Sequence, residues 1–91
     1  MAQVIIKLKV MPSSPDVNLK LLQMAVEGKI VDYGGTLKGT MVEPIAFGLK
    51  ALITTFSMDE SKGSTDILEE EISQVPDVES VSVIGVSRAL G

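Results

Sequence analysis

Apolar and polar residues alternate at the start of the chain, with Val4, Ile6, Leu8 and Val10 in one set and Ile5, Lys7 and Lys9 in the other. A period of two sends successive side chains to opposite faces, so this stretch predicts a strand with one buried face. "MPSSPD" ends it, because proline cannot continue a ladder and Ser/Asp suit turns and caps. From Val17 the period lengthens. Leu19, Leu22, Val26 and Ile30 recur at three- and four-residue steps, which predicts a helix to about Val31, capped by Ser14 or Asp16. Gly28 weakens its last turn.

"DYGG" reads as a turn, and "TLKGTMVE" (36–43) as a second strand with a bulge at Gly39. A third strand is expected from Gly48 to about Ser57, ending in the β-favouring "ITTF". After the polar "MDESKGS", Ser64 or Thr65 can cap a second helix in which Leu68, Ile72 and Val75 share a face, with Pro76 as its stop. "VESVSVIGV" then alternates again, around Val81 and Val83, as a fourth strand. The order β-α-β-β-α-β is that of an α+β, ferredoxin-like two-layer sandwich: four antiparallel strands with two helices on one face. Residues 1–91 form a single domain on this reading, since the length suits one modest core.

Charge changes the picture by where it falls. The formal net charge is −4, but eight acids crowd into Asp59–Glu79 against Lys62 alone. That segment repels polyanions, so no direct nucleic-acid contact is expected. The central-strand candidates carry one aromatic, Phe56, too few for base stacking. Lys7 and Lys9 read as a solvated strand face. Cysteine and histidine are both absent from the chain, which removes thiolate sites, the thiol nucleophile and the commonest general base. "EEE" at Glu69–Glu71 spreads its carboxylates around a helix and reads as a solvated face. "DESKGS" lacks the spacing of a carboxylate metal loop. No enzymatic activity, metal or cofactor is expected. Neither a leader pattern nor an apolar run of membrane-spanning length is present, so the expectation is a cytoplasmic protein without a membrane partner.

The aromatics are three: Tyr33, Phe47 and Phe56. Phe47 sits in "EPIAFGLKAL", between a small residue and a glycine, behind Pro44. Two readings stand: a ring folded back over the hairpin end, or one presented on a stiff turn as a docking residue. Pro44 fixes one φ and extends Glu43, and Gly48 permits an unusual dihedral or a close approach. A preorganised turn loses little entropy on docking.

"VMPSSPDVNL", "EPIAFGLKAL" and the valine-rich close with "VSRAL" together resemble archaeal-type elongation factor 1-beta, over nearly the whole chain and in order. Eukaryotic relatives carry a "PIGFGIKKL"-like stretch that matches Pro44–Leu52. The resemblance implies the same sandwich fold and guanine-nucleotide exchange on the GTPase elongation factor 1-alpha during polypeptide elongation. It also implies that Phe47 docks on the nucleotide-binding domain, with Pro44, Ile45, Ala46 and Gly48 shaping its loop. The family's second contact is a C-terminal cation at the partner's Mg²⁺ site. Here Ala89 falls at the position of the eukaryotic lysine, and Arg88, one residue earlier, is the nearest cation. Lys50, beside the Phe47 loop, is the other candidate. Phe47 is therefore expected at the tip of the bend and exposed, and Arg88 beyond the fourth strand, free of internal acids. The alternative is a small-ligand-binding regulatory sandwich without a GTPase partner.

Overall fold

A computed structural model describes residues 2–62 and 65–89. Strand β1 spans Gln3–Pro12, helix α1 Leu19–Tyr33, β2 Thr36–Pro44, β3 Lys50–Asp59, a short 3-10 turn Glu60–Lys62, helix α2 Asp66–Ser73 and β4 Val78–Ala89. The sheet runs β2-β3-β1-β4, and β1–β3, β1–β4 and β2–β3 are all antiparallel. This is the expected β-α-β-β-α-β sandwich.

The alternation in β1 becomes a core. Ile6, Leu8 and Val10 lie against Leu52, Phe56 and Met58 of β3, beneath Leu22, Val26 and Ile30 of α1 and Leu68 and Ile72 of α2. Complete burial of a large apolar side chain contributes roughly 1.5–3 kcal/mol, and Phe56, fully buried, is the largest of these. The other face of β3 is closed as well. Ala51 and Ile53 are buried there although the helices lie on the opposite side. Ile53 is flanked by Lys9 on β1 and Met41 on β2, and a lysine stem can cover apolar surface while its ammonium stays in water.

Element boundaries moved where a local side-chain bond decided them. Helix α1 is capped by Asn18, whose Oδ1 accepts the Leu21 N–H at 3.1 Å, not by Ser14 or Asp16. The Ser14 Oγ accepts the Asp16 N–H, so Ser14 shapes the turn ahead of the helix. The helix runs through Gly28 to Tyr33 and stops at Gly34, which is left-handed (φ 104°) and donates its N–H to the last carbonyls. Thr65 is the N-cap residue of α2, but its hydroxyl donates to Glu69 Oε2; Ser64, the other expected cap, lies outside the described residues. Val75 falls past the end of α2 yet still packs on the core. The irregularity in β2 falls between Leu37 and Gly39, with Lys38 the extra residue.

Thr54 is fully buried on the helix side of β3, opposite Leu8 and Thr40, and its Oγ1 has no hydrogen-bond partner among the described residues. Thr40 faces the same layer but donates to Glu27 Oε2 at 2.8 Å. A buried hydroxyl without a partner costs free energy that a methyl of the same shape does not. Thr54→Val is therefore expected to raise stability by about 1 kcal/mol, read as a higher urea midpoint at unchanged slope. A fall of similar size would show that the hydroxyl is satisfied in solution.

Candidate partner-binding site

Pro44 and Lys50 face each other as the last pair of the β2–β3 ladder. Beyond them the chain reverses over Ile45–Leu49. The Leu49 N–H donates to the Ala46 carbonyl at 3.0 Å, and the Ile45 N–H donates to the Leu49 carbonyl at 2.8 Å. Both central residues of the Ala46–Leu49 turn have positive φ, Phe47 at 59° and Gly48 at 79°. That pairing of signs matches the right-handed twist of a hairpin and normally recruits Asn-Gly or Gly-Gly. Gly48 meets the demand without strain. Phe47 does not: a left-handed conformation brings Cβ too close to the carbonyl, at roughly 1–2 kcal/mol for an ordinary residue.

The Phe47 ring gains nothing back from the fold, being 94% exposed. Of the two readings open in the sequence, the presented ring is the one observed. The third strand starts at Lys50 rather than Gly48 because Gly48 belongs to this turn. Pro44, Ile45, Ala46 and Lys50 are exposed around it.

The structure adds a neighbour that the spacing of residues along the chain did not reveal. A hollow of about 330 Å³ lies between the turn and the β1–α1 connection, lined by Pro12, Ser14, Pro15, Gly48 and Lys50 among others. A methyl built on Gly48 would stand 3.8 Å from Pro15 Cβ, an ordinary contact distance. So "MPSSPD" and "PIAFG", far apart in sequence, sit side by side at one end of the sheet.

Arg88 is elsewhere, and its surroundings correct two expectations. It lies within β4, opposite Val4, not beyond the strand. It is also paired: Nη2 donates to Glu60 Oε2 at 2.6 Å, with the side chains 70% and 39% exposed. Glu60 opens the 3-10 turn after β3 and is held by its backbone N–H on the Ala2 carbonyl. Ahead of it, the Ser61 backbone N–H, and after that the Ser61 hydroxyl, keep the Asp59 carboxyl below its ordinary range. Glu60 was missed from sequence because only the joint register of β3 and β4 on β1 brings "MDESK" to "VSRA".

Along β1, Leu52 is opposite Val10 and Arg88 opposite Val4. Six residues of strand span about 20 Å, and the Phe47 turn lies further out still. The structure therefore groups Pro44, Ile45, Ala46, Phe47, Gly48 and Lys50 at one end of the sheet and places Arg88 towards the other. Among the described residues there is no cluster of three or more candidate metal ligands, and no helix is long and apolar enough to cross a membrane.

Comparison with solved structures shows the fold. The C-terminal domain of the MgtC protein from Mycobacterium tuberculosis superposes at a TM-score of 0.63, with 15% identity, over 97% of this chain and 88% of that one. The ACT domain from the GTP pyrophosphokinase of Chlorobium tepidum does so at 0.59, with 13% identity, over 90% and 99%. Sequence relatives are much nearer. Elongation factor 1-beta of Methanocaldococcus jannaschii is 37% identical over 89 residues, covering 98% of this chain and 100% of its own. Elongation factor 1-beta of Halobacterium salinarum is 43% identical over 88 residues, covering 97% and 99%. The sequence profile of the EF-1 guanine nucleotide exchange domain matches residues 5–89. With a strained, presented phenylalanine on a hairpin and relatives matched from end to end, the chain belongs to the EF-1 guanine nucleotide exchange domain family.

Proposed function

We propose that this chain acts in the cytoplasm as a guanine-nucleotide exchange factor, promoting GDP release from the GTPase elongation factor 1-alpha during polypeptide elongation. The single observation that carries the site assignment is Phe47, whose backbone is left-handed and whose ring is in water. The strain costs the free protein stability and the exposed ring returns none, and a bound partner is where such a cost is offset. A rigid aromatic on a preorganised turn is the usual composition of a binding hot spot. Pro44, Ile45, Ala46 and Gly48 hold the turn, and Lys50 places a cation at its base.

Exchange needs no covalent step, in keeping with a family whose activity is nucleotide exchange. Mg²⁺ on the GTPase bridges the nucleotide phosphates and protein ligands, so nucleotide affinity depends on it. A partner that binds the nucleotide-free form more tightly must weaken nucleotide binding by the same factor. In this reading Phe47 anchors the complex and Arg88 brings a cation towards the Mg²⁺ site. The sheet between them fixes the separation, so the two contacts fall at points on the GTPase at least about 20 Å apart. Arg88 must first leave Glu60. Exposed ion pairs contribute little, so the release is a small barrier.

Phe47→Gly removes both the ring and the strain. Stability is expected to stay level or rise by up to about 1 kcal/mol, measured by thermal unfolding, while affinity for elongation factor 1-alpha falls on the order of 2 kcal/mol. A melting temperature lower by several degrees would assign the ring a role in folding instead.

Arg88→Ala is expected to slow release of a fluorescent GDP by about tenfold at saturating Mg²⁺, with little change in melting and a smaller effect once Mg²⁺ is chelated. Glu60→Gln, which frees Arg88, should speed release by about two- to threefold. Wild-type release rates for Arg88→Ala would remove Arg88 from the mechanism and leave Lys50 as the cation to test.

A further inference from the structure

Helix α1 is apolar on two sides. Leu22, Val26 and Ile30 face the core. Leu21, Met24, Gly28 and Val31 recur at steps of three, four and three residues, the spacing of a coiled-coil seam. Met24 and Gly28 stand two residues either side of Val26, which in a helix turns them away from the core. Leu21, Met24 and Val31 are 62%, 60% and 56% exposed. A helix apolar on both sides is ordinarily packed on both sides, and among the described residues only the inner side of α1 is covered.

Gly28 shows what the outer side is shaped for. Glycine in a helix interior is destabilising relative to alanine, and the fold gives no reason for it here. Gly28 is not among the residues with positive φ, and a Cβ built on it would meet nothing within 4 Å. Its neighbours Gly34 and Gly35 differ. The first is left-handed at the helix end, and a Cβ on the second would fall 2.8 Å from Ile30 and 2.9 Å from Phe56. A glycine on an exposed helix face leaves a notch, into which a facing helix can seat a side chain or bring its backbone close. Beside the stripe the surface is concave as well. A hollow of about 210 Å³ lies between Leu21 and Ala25 of α1 and the Val75–Asp77 link to β4. The Asp77 carbonyl holds that link by accepting the Ser13 N–H at 2.8 Å.

We propose that the outer face of α1 docks an amphipathic helix of a partner protein, apolar along one face and basic along the edge that lies over α2. Charge complementarity selects this occupant. Helix α1 is itself balanced, with Lys20 and Lys29 against Glu27 and Asp32. Helix α2 lies beside it on the same face of the sheet, within the Asp59–Glu79 segment where eight acids meet Lys62 alone. Glu70, two residues from buried Leu68 and from buried Ile72, points outward as the stripe does. Asp77, exposed, lines the hollow. Lysines and arginines beside the partner's apolar face meet these carboxylates. A second copy of the chain would bring a like net charge of −4, and the same acids repel an anionic lipid surface or a nucleic acid. No residue of the stripe enters the exchange reading, so the docking proposal stands apart from it.

The probe is a synthetic leucine–lysine peptide of about 15 residues, with leucine at the seam positions and lysine elsewhere. It is expected to shift the amide resonances of Leu21, Met24, Gly28 and Val31, with a dissociation constant on the order of 10–100 μM. The same composition in scrambled order, or glutamate in place of lysine, should bind at least about tenfold more weakly. Gly28→Lys fills the notch and adds a cation to it. That variant should melt at a higher temperature, lysine being the better helix former, yet bind the peptide about tenfold more weakly. Met24→Gln, which keeps the length of the side chain and removes its apolar character, should weaken binding by about three- to tenfold. A scrambled peptide that binds as well, shifts confined to α2, or unchanged affinity in both variants would each overturn the proposal. So would concentration-dependent shifts at Met24 in the chain alone, which would make a second copy the occupant.

Discussion

Strand β1 is hydrogen-bonded along almost its whole length on both sides, to β3 and to β4, and the positions of the proposed contacts are set by those two registers. Its inward residues Ile6, Leu8 and Val10 are the floor of the core. A slip of one residue would turn that floor towards solvent and cost several buried aliphatic side chains at once. The registers are therefore strongly fixed. They decide how far the Phe47 turn stands from Arg88, bring Glu60 to Arg88, and place the β4 bulge level with Leu8.

Against that rigid frame the two phenylalanines serve opposite ends. Phe56 is fully buried under α1 and contributes to stability through the area it removes from water. Phe47 is almost fully exposed on a left-handed backbone, and its side chain contributes nothing comparable to the fold. Natural sequences are locally consistent with their folds except where function demands otherwise. Phe47, a bulky residue where a hairpin prefers Asn or Gly, is such a conflict, and the proposed docking role rests on it.

The absence of histidine and cysteine fits the same logic. A protein that changes its partner's affinity for a nucleotide needs differential binding, not bond making. What it requires is a shape held at fixed spacing, and an antiparallel sheet braced by two helices supplies that. Its ionisable residues are left mostly to the surface, where Asp59 and Glu60 organise a turn and Arg88 is paired with Glu60.

Periodicity in the sequence determined the element order and most of the core. The period-two runs of β1 and β4 and the heptad-like spacing of Leu22, Val26 and Ile30 reflect burial, which acts on every residue of a face at once. "PIAFG" left two placements of its ring open, because proline fixes one φ and glycine frees another without saying where the side chain goes; only the family resemblance favoured exposure. The cap of α1 was misplaced by a few residues, since Ser14, Asp16 and Asn18 are chemically equivalent as caps and only the geometry selects among them. Tertiary structure alone decided the pairing of Arg88 with Glu60, the placing of the Phe47 turn beside Pro15, and the phase of β4. Each of these depends on how strands distant in sequence align on β1, and alignment is a property of the whole sheet that no local stretch of sequence encodes.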